Sequence, residues 1–492
     1  MYMTSGKRLG EVTVRDREPV QALAIAPKND ALVTVTARGI AMRPFVPRHP
    51  EATLGSLFGA TWYERMPEPT HTWQSSAGTD DFEPKLSLMP LIFGTIKATV
   101  YSMLLAVPLA LLAAIYTSEF LHARTKARIK PLVELMASLP SVVLGFLAAI
   151  VIAPAVESVV PQLVTALFTI PVAILLAAHL WQALPTQVSV RHGGLRLPLA
   201  FLALAGGVLA AVAFGPIVER LLFAGDFRLW LDGKSPAVAD GSAGWFVLLL
   251  PVSAVLVAFF VGRHVNARIA VRTAHASHSR AGLVHLGKFL VALAASVVVA
   301  LGLAWLVYHA PTAFALPPFD LRAGVPIAGA DLSPIGTFDQ RNSLVVGFVM
   351  GFAVIPIIYT IAEDALSSVP EHLRAASLGC GATPWQTAVR VIVPTAMSGL
   401  FSACMVGLGR AVGETMIVLM AAGGTAVMNM NVFSGFRTLS ANIATELPEA
   451  VRDSTHYRTL FLAALVLFAL TFVINTIAES VRQRFRRRAY QL

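Results

Sequence analysis

The chain has 492 residues, 56% of them hydrophobic and only 13% charged, with a mean hydropathy of +0.68. These values lie outside the range of soluble domains and make a bilayer the natural solvent. The formal net charge of +10 does not mark a nucleic-acid binder, because the excess Lys and Arg cluster between apolar runs and at the C-terminus, as in positive-inside topology. Cys380 and Cys404 come without a CxxC or paired-His pattern, so a disulfide framework is excluded.

Taken in order, residues 1–85 form a polar, Pro-rich arm in which the alternating runs Val20–Ala26 and Ala31–Thr36 flank a Lys28-Asn29-Asp30 turn and read as strands. The stretch VQALAIAPKNDALVTVTARGIAMRPFVPRHPE resembles one blade of a WD-repeat propeller. A single blade cannot bury its own faces, and an irregular extramembrane arm is the alternative reading. No cleavable signal or spanning helix precedes the arm, which is odd for an external segment unless upstream sequence is missing.

Residues 86–492 read as an all-α, polytopic transmembrane bundle. Stretches able to cross ~30 Å of hydrocarbon at ~1.5 Å per residue are Leu91–Tyr116, Leu132–Val156, Leu163–Trp181, Leu197–Phe223, Trp245–Val261, Leu286–Tyr308, Leu344–Ile361, Gly399–Ala422 and Leu460–Ile477, about nine spans. Basic loops follow the first span (Arg124, Lys126, Arg128, Lys130), the third (Arg191, Arg196) and the fifth (Arg263, Arg268, Arg272, Arg280), and an Arg-rich tail closes the chain. Alternate loops balance their charges or lean acidic, so the N-terminus is expected outside and the C-terminus in the cytoplasm.

Between the seventh and eighth spans, residues 367–394 are too ordered in pattern for a simple connector. Ser368-Val-Pro-Glu371 and Thr383-Pro-Trp-Gln386 both have capping-box spacing, and Gly379 and Gly381 between them supply a stop. The expected product is helix, sharp turn, helix.

In this loop the chain is similar to the permeases of ABC importers, whose EAA signature reads Glu-Ala-Ala, three residues, Gly, nine residues, then Ile-x-Leu-Pro. The matching positions are Ala375, Ala376, Ser377, Gly381, Val391, Val393 and Pro394, with Ala375 where the family usually has Glu. The segment GLGRAVGETMIVLMAAGG then resembles the GRAIGETM stretch of phosphate-specific transporter permeases, especially the PstC type. Gly94–Phe120 and Leu135–Phe146 extend the likeness to the other end of the membrane region, whereas Pro198 to Tyr308 exceeds the usual permease core. The resemblance implies a coupling hairpin, with Glu371, Arg374, Ala375, Ala376, Ser377, Gly381 and Pro394 as ATPase-coupling residues. It also implies a cytoplasmic ABC ATPase dimer that uses the ATP, a second permease of PstA type, an external phosphate-binding protein and a place in the bacterial inner membrane. The chain itself is then a transport subunit with no cofactor of its own.

The residues alone also point to a substrate path. From Gly399, Arg410 lies ~17 Å and Glu414 ~22 Å along a continuous helix, near mid-membrane. An Arg there costs roughly 2.5 to 3.5 kcal/mol on insertion scales, so it needs a partner or a watery path. The spacing of Arg410 and Glu414 puts them on one helical face with Gly407, whose missing side chain leaves room; Thr415 adjoins. One reading is a self-neutralising pair that glues helices. The other is an anion gate, in which the Arg fork takes two phosphate oxygens and Glu414 holds it or accepts a proton.

Asp232-Gly-Lys-Ser235 is no P-loop, since Arg228 replaces the required Gly. His264, His275, His278 and His285 accompany Arg without carboxylates and read as a basic loop rather than a metal site. The Arg tail reads as an anchor on membrane lipid. Rival classes are a permease for molybdate or sulfate and, without any ATPase, a secondary transporter or an ion-gated channel; a membrane enzyme would need a catalytic set that is not found.

Overall fold

Some prolines part helices, as Pro140 and Pro370 do, whereas Pro108, Pro171, Pro216, Pro251 and Pro356 lie inside the long apolar helices. The structure, a computed structural model, describes residues 4, 19–26, 31–44, 49–64, 66–76, 83–234, 241–273, 277–314, 318–322, 326–327 and 330–489. Among them nine helices are long and apolar enough to cross a membrane, and this is a multi-pass membrane protein.

Strands β1 (Ala22–Ile25), β2 (Ala31–Thr36) and β3 (Gly39–Pro44) form an antiparallel meander. The β1–β2 turn expected at Lys28–Asp30 lies outside the described residues. After α1 (Leu54–Phe58) come the short strands β4 (Trp73–Gln74) and β5 (Lys85–Leu86), paired antiparallel. The helical part opens with α2 (Met89–Glu119), α3 (Ala123–Ala137), α4 (Ser141–Leu147), α5 (Ala153–Ser158) and α6 (Val160–Ala183). Then follow α7 (Thr186–Arg191), α8 (Arg196–Leu222), α9 (Phe227–Leu231), α10 (Ser242–Phe260), α11 (Asn266–Thr273) and α12 (His278–His309). Strands β6 (Pro326–Ile327) and β7 (Ala330–Asp331) precede α13 (Ser343–Ser367), α14 (Glu371–Gly379), α15 (Pro384–Thr387), α16 (Val393–Gly413), α17 (Met416–Ala421), α18 (Leu439–Glu446) and α19 (Thr455–Ala489).

The apolar run Leu132–Val156 is not one span. Pro140, which has no N–H and disfavours helix at Leu139, separates α3 from the crossing helix Ser141–Ser158. Freed from the membrane run, α3 lies beside the end of α13, where Lys126 and Lys130 both reach Glu363, whose side chain is only 2% exposed.

The core is a parallel pair, α2 and α13, in close contact. Ala106, Ala110 and Ala114 of α2 are fully buried at every fourth position, and Gly351 of α13 lies against Ser102 and Leu105. Small residues let the backbones approach, so dispersion replaces the hydrophobic force that lipid does not supply. Helix α16 returns antiparallel to α13, with Gly399 against Ala365, and α19 lies beyond it, with Gly409 facing Asn475. Helices α6, α8, α10 and α12 make a satellite unit: Gly207 meets Ile170, Gly282 meets Ala183, and Ser253 donates to the Ser296 carbonyl at 2.9 Å. The bundle therefore has two ends, one carrying the 367–394 hairpin and the other the loops before α13 and α19.

At the second end, α1, β4 and β5 pack on the bundle. Leu57, Trp73, Leu86 and Leu88 join Leu439 and Leu460 in one buried cluster. Trp73 Nε1 donates to Glu446 Oε1 at 3.0 Å, and Arg437 and His456 also bind that carboxylate. Burial pushes the Glu446 carboxyl up, but His456, Trp73 and Arg437 outweigh it and hold it below the usual range.

Candidate functional site

The hairpin forms as its sequence dictates, with one exception. Helix α14 ends in a complete Schellman motif: the Gly381 N–H donates to Leu378 O at 2.9 Å, and the Ala382 N–H to Ser377 O at 3.2 Å. Gly381 has φ +87°, the left-handed conformation glycine accepts without a Cβ clash, whereas Gly379 is simply the last helical residue. Thr383 and Gln386 make a reciprocal capping box at α15, and Ser377 Oγ meets Thr387 Oγ1 at 2.9 Å, tying the two arms together. The exception is Ser368. It closes α13, its hydroxyl donating to Ala365 O at 2.7 Å, and α14 starts at Glu371 with Pro370 as an N-cap that has no side-chain bond to offer.

The seven hairpin residues do not share one face. Glu371, Ala375, Ala376 and Gly381 are exposed and form an open tip with Leu378, Trp385 and Val389. Arg374 turns inward instead: it pairs with Glu119 at the end of α2 at 3.0 Å and donates to the carbonyls of Leu366 at 2.8 Å and Val369 at 3.0 Å. It thus caps α13 and fastens the hairpin to both core helices. Pro394 lies inside the continuous helix Pro384–Gly413, directly after the π-turn Ala388–Ile392, which accommodates its missing N–H.

The eighth span is broken. Helix α16 stops at Gly413, Glu414 is extended (φ −67°, ψ 125°), and α17 starts at Met416. Arg410 and Glu414 therefore do not share a helical face, and among the described residues no ion pair joins them. Glu414 Oε1 instead accepts from the N–H groups of Met416 at 3.2 Å and Ile417 at 3.4 Å, so the carboxylate caps the new helix and competes with continuation of the old one. Ser440 Oγ donates to Glu414 O at 3.0 Å, pinning the break to α18, and Thr415 Oγ1 bonds back to Gly413 O at 3.3 Å.

Gly407 does not leave room beside Arg410. A Cβ there would lie 2.5 Å from Ile358 Cγ1 and 3.0 Å from Val354 Cγ1, so the missing side chain is filled by α13. Gly407→Leu should therefore lower the amount of folded protein in the membrane severalfold, checked by fluorescence-detected size exclusion, because overpacking costs about 1–3 kcal/mol. Arg410 lies on the other side of α16, exposed in a stripe with Val406 and Gly413. Since Gly407 faces Ile358, Arg410 sits roughly 18 Å from the start of α13, close to mid-membrane.

A second cation within the membrane helices, this one buried, was not among the residues expected at the site. Lys97 of α2 is 0% exposed, and its Nζ donates to Asn429 Oδ1 and Ser434 Oγ, both at 2.9 Å, with the Phe436 ring 5.6 Å away. The 429–436 loop is thereby folded down onto α2, next to the Thr95 hydroxyl that accepts from the N–H of Leu439. The signal was present, because one Lys within the apolar run Leu91–Tyr116 calls for a buried partner.

The sequence that forms this helix–turn–helix and the broken span behind it is similar to that of known proteins. The family described as binding-protein-dependent transport system inner membrane component matches residues 245–489. The match covers 245 of the 492 residues, just under half of the chain. The matched segment contains the hairpin and the broken span together, and the chain resembles the PstC type of ABC-importer permease. Similar proteins include phosphate transport system permease protein PstC 1 of Mycobacterium tuberculosis (strain ATCC 25618 / H37Rv), 36% identical over 152 residues, 30% of this chain and 45% of that one. PstC of Mesorhizobium japonicum is 34% identical over 141 residues, 29% and 43% of the two chains. PstA 1 of Mycobacterium tuberculosis (strain CDC 1551 / Oshkosh) is 32% identical over 169 residues, 33% and 55%. The chain spans about half the length of these permease relatives. No solved structure is a significant match.

Proposed function

We propose that the chain is a permease subunit of an ATP-driven phosphate importer of the bacterial inner membrane, with its hairpin end in the cytoplasm. The hairpin carries this reading. Its exposed tip, with Leu378 and Trp385 at 47% and 56% exposure, is an apolar surface suited to burial against a separate ATPase. Arg374 supplies the link, since a push on the tip is delivered to the ends of α2 and α13 through one side chain. A transporter driven by an ion gradient has no use for such a part.

Substrate identity rests on the likeness to proteins named as phosphate permeases, and Arg410 gives it a chemical basis. Its planar fork matches two oxygens of a tetrahedral oxyanion, and its stripe on α16 is open for a second permease to face across a pore. Glu414 is assigned to the break in the span rather than to proton transfer. A PstA-type permease, a cytoplasmic ATPase dimer and an external phosphate-binding protein complete the proposed assembly.

Uptake of radiolabelled phosphate in cells lacking their own importer tests this reading. Expression of the chain with a PstA-type permease, the ATPase and the phosphate-binding protein should restore uptake, and excess sulfate or molybdate should not compete; competition by either would reassign the substrate. Orientation has a built-in reporter, since Cys380 is exposed on the hairpin. An impermeant thiol reagent should spare Cys380 in intact cells and label Val451→Cys, a position 76% exposed at the other end. Labelling of Cys380 would invert the topology and remove the coupling role.

A further inference from the structure

Helices α10 and α12 part toward the hairpin end and leave a groove of about 1020 Å³, at or just above the top of the range for small-molecule sites, ~300–1,000 Å³. At the groove α10 passes into a π-turn at Val261–Val265, a widened turn that supplies Val261 and Val265 to the wall. The wall is apolar, with Leu256, Phe260 and Val261 on one side and Val291, Ala295 and Val299 on the other.

Two charged side chains line it, Arg280 and Lys288, and both are cations; no described acidic residue lines it. Lys288 is held over the mouth by donation from its Nζ to Asn266 Oδ1 at 2.8 Å, which leaves it two further N–H donors. The spacing fits a leaflet. From Lys288 to Val299, α12 rises roughly 16 Å, close to the ~15 Å of hydrocarbon in half a bilayer. Arg280 stands about two turns, roughly 12 Å, nearer the helix start, on the outer side of the head-group layer. An occupant must therefore be apolar for one leaflet's depth and anionic at its end.

We infer that the α10–α12 groove binds one anionic phospholipid, its acyl chain along the apolar wall and its phosphate between Lys288 and Arg280. The site is separate from the substrate path at Arg410, because α10 and α12 belong to the satellite unit. It gives that unit a specific task beyond spanning the membrane, since a lipid wedged between the two helices fixes their splay.

The test is native mass spectrometry of the full-length protein, purified with its associated subunits and incubated with equimolar phosphatidylglycerol and phosphatidylcholine. The parent should retain one phosphatidylglycerol in clear preference. Arg280→Gln and Lys288→Gln should each weaken that preference about fivefold, as expected for one cation at a membrane surface. Lys288→Arg should keep it, and Ala295→Phe, which fills the groove without touching a charge, should lower retention of the lipid. Equal retention of the two lipids by the parent, or unchanged preference in both Gln variants, would overturn the inference. So would loss of a partner subunit rather than of lipid in Ala295→Phe, since the groove would then be a protein interface.

Discussion

Replacing Arg410 with Gln should reduce phosphate uptake by about tenfold or more while the protein level in the membrane stays near that of the parent. The side chain is exposed on α16 close to mid-membrane and has no carboxylate partner among the described residues. Removing it therefore breaks no internal pair, and the bilayer gains rather than loses from its absence. What is lost is the charged fork, and hydrogen bonds to a charged group are worth roughly 1.5–3 kcal/mol, or about ten- to a hundredfold in rate or affinity. Arg410→Lys should also impair uptake, because an ammonium keeps the charge but not the paired donors. Glu414 behaves differently. Glu414→Gln keeps an oxygen that can accept from Met416 and Ile417, so uptake should change little, whereas Glu414→Leu strands those N–H groups at about 1–3 kcal/mol and should disturb the break itself. If Arg410 and Glu414 were only glue, the double Leu variant would transport like the parent.

Arg374→Leu should uncouple the transporter: ATP hydrolysis by the assembled complex continues while phosphate uptake falls to a small fraction. Arg374 and Glu119 are 19% and 9% exposed, so removing the cation leaves a mostly buried carboxylate, and such losses run to roughly 3–5 kcal/mol. It also uncaps α13 at Leu366 and Val369. The charge swap Arg374→Glu with Glu119→Arg should restore expression better than coupling, because a Glu at position 374 cannot donate to those carbonyls. The ratio of hydrolysis to uptake, measured on one preparation, separates uncoupling from misfolding, which lowers both.

Hydropathy made the nine crossings legible because length and apolar composition alone decide them. The hairpin was legible for a different reason: Gly381 and the Thr383–Gln386 box act within a few residues, and local geometry follows local sequence. Three features depended on choices that pattern alone cannot make. At Pro140 an apolar run continued through a residue that breaks a helix, so composition and backbone chemistry disagreed and the backbone prevailed. At Glu414 the side chain chose the N–H groups of Met416 and Ile417 over a helical turn, a choice fixed by the Ser440 contact from far along the chain. At Gly407 the absence of a side chain signalled close packing on Ile358, not an opening. Long-range partners likewise decide the roles of Lys97 and Arg374, which is why a buried loop tether and an inward clamp were not read from spacing.

The most direct test of the central claim is phosphate uptake into proteoliposomes holding this chain, its second permease and the ATPase dimer, with ATP on the hairpin side and the phosphate-binding protein on the other. Uptake should require ATP and the binding protein together. Gly381→Trp should abolish it while leaving the complex intact, because the position has open space but a left-handed φ of +87° that a bulky side chain resists by about 1–2 kcal/mol. Phosphate uptake driven by an ion gradient without ATP, or unchanged ATP-driven uptake in Gly381→Trp, would contradict the coupling of this hairpin to transport.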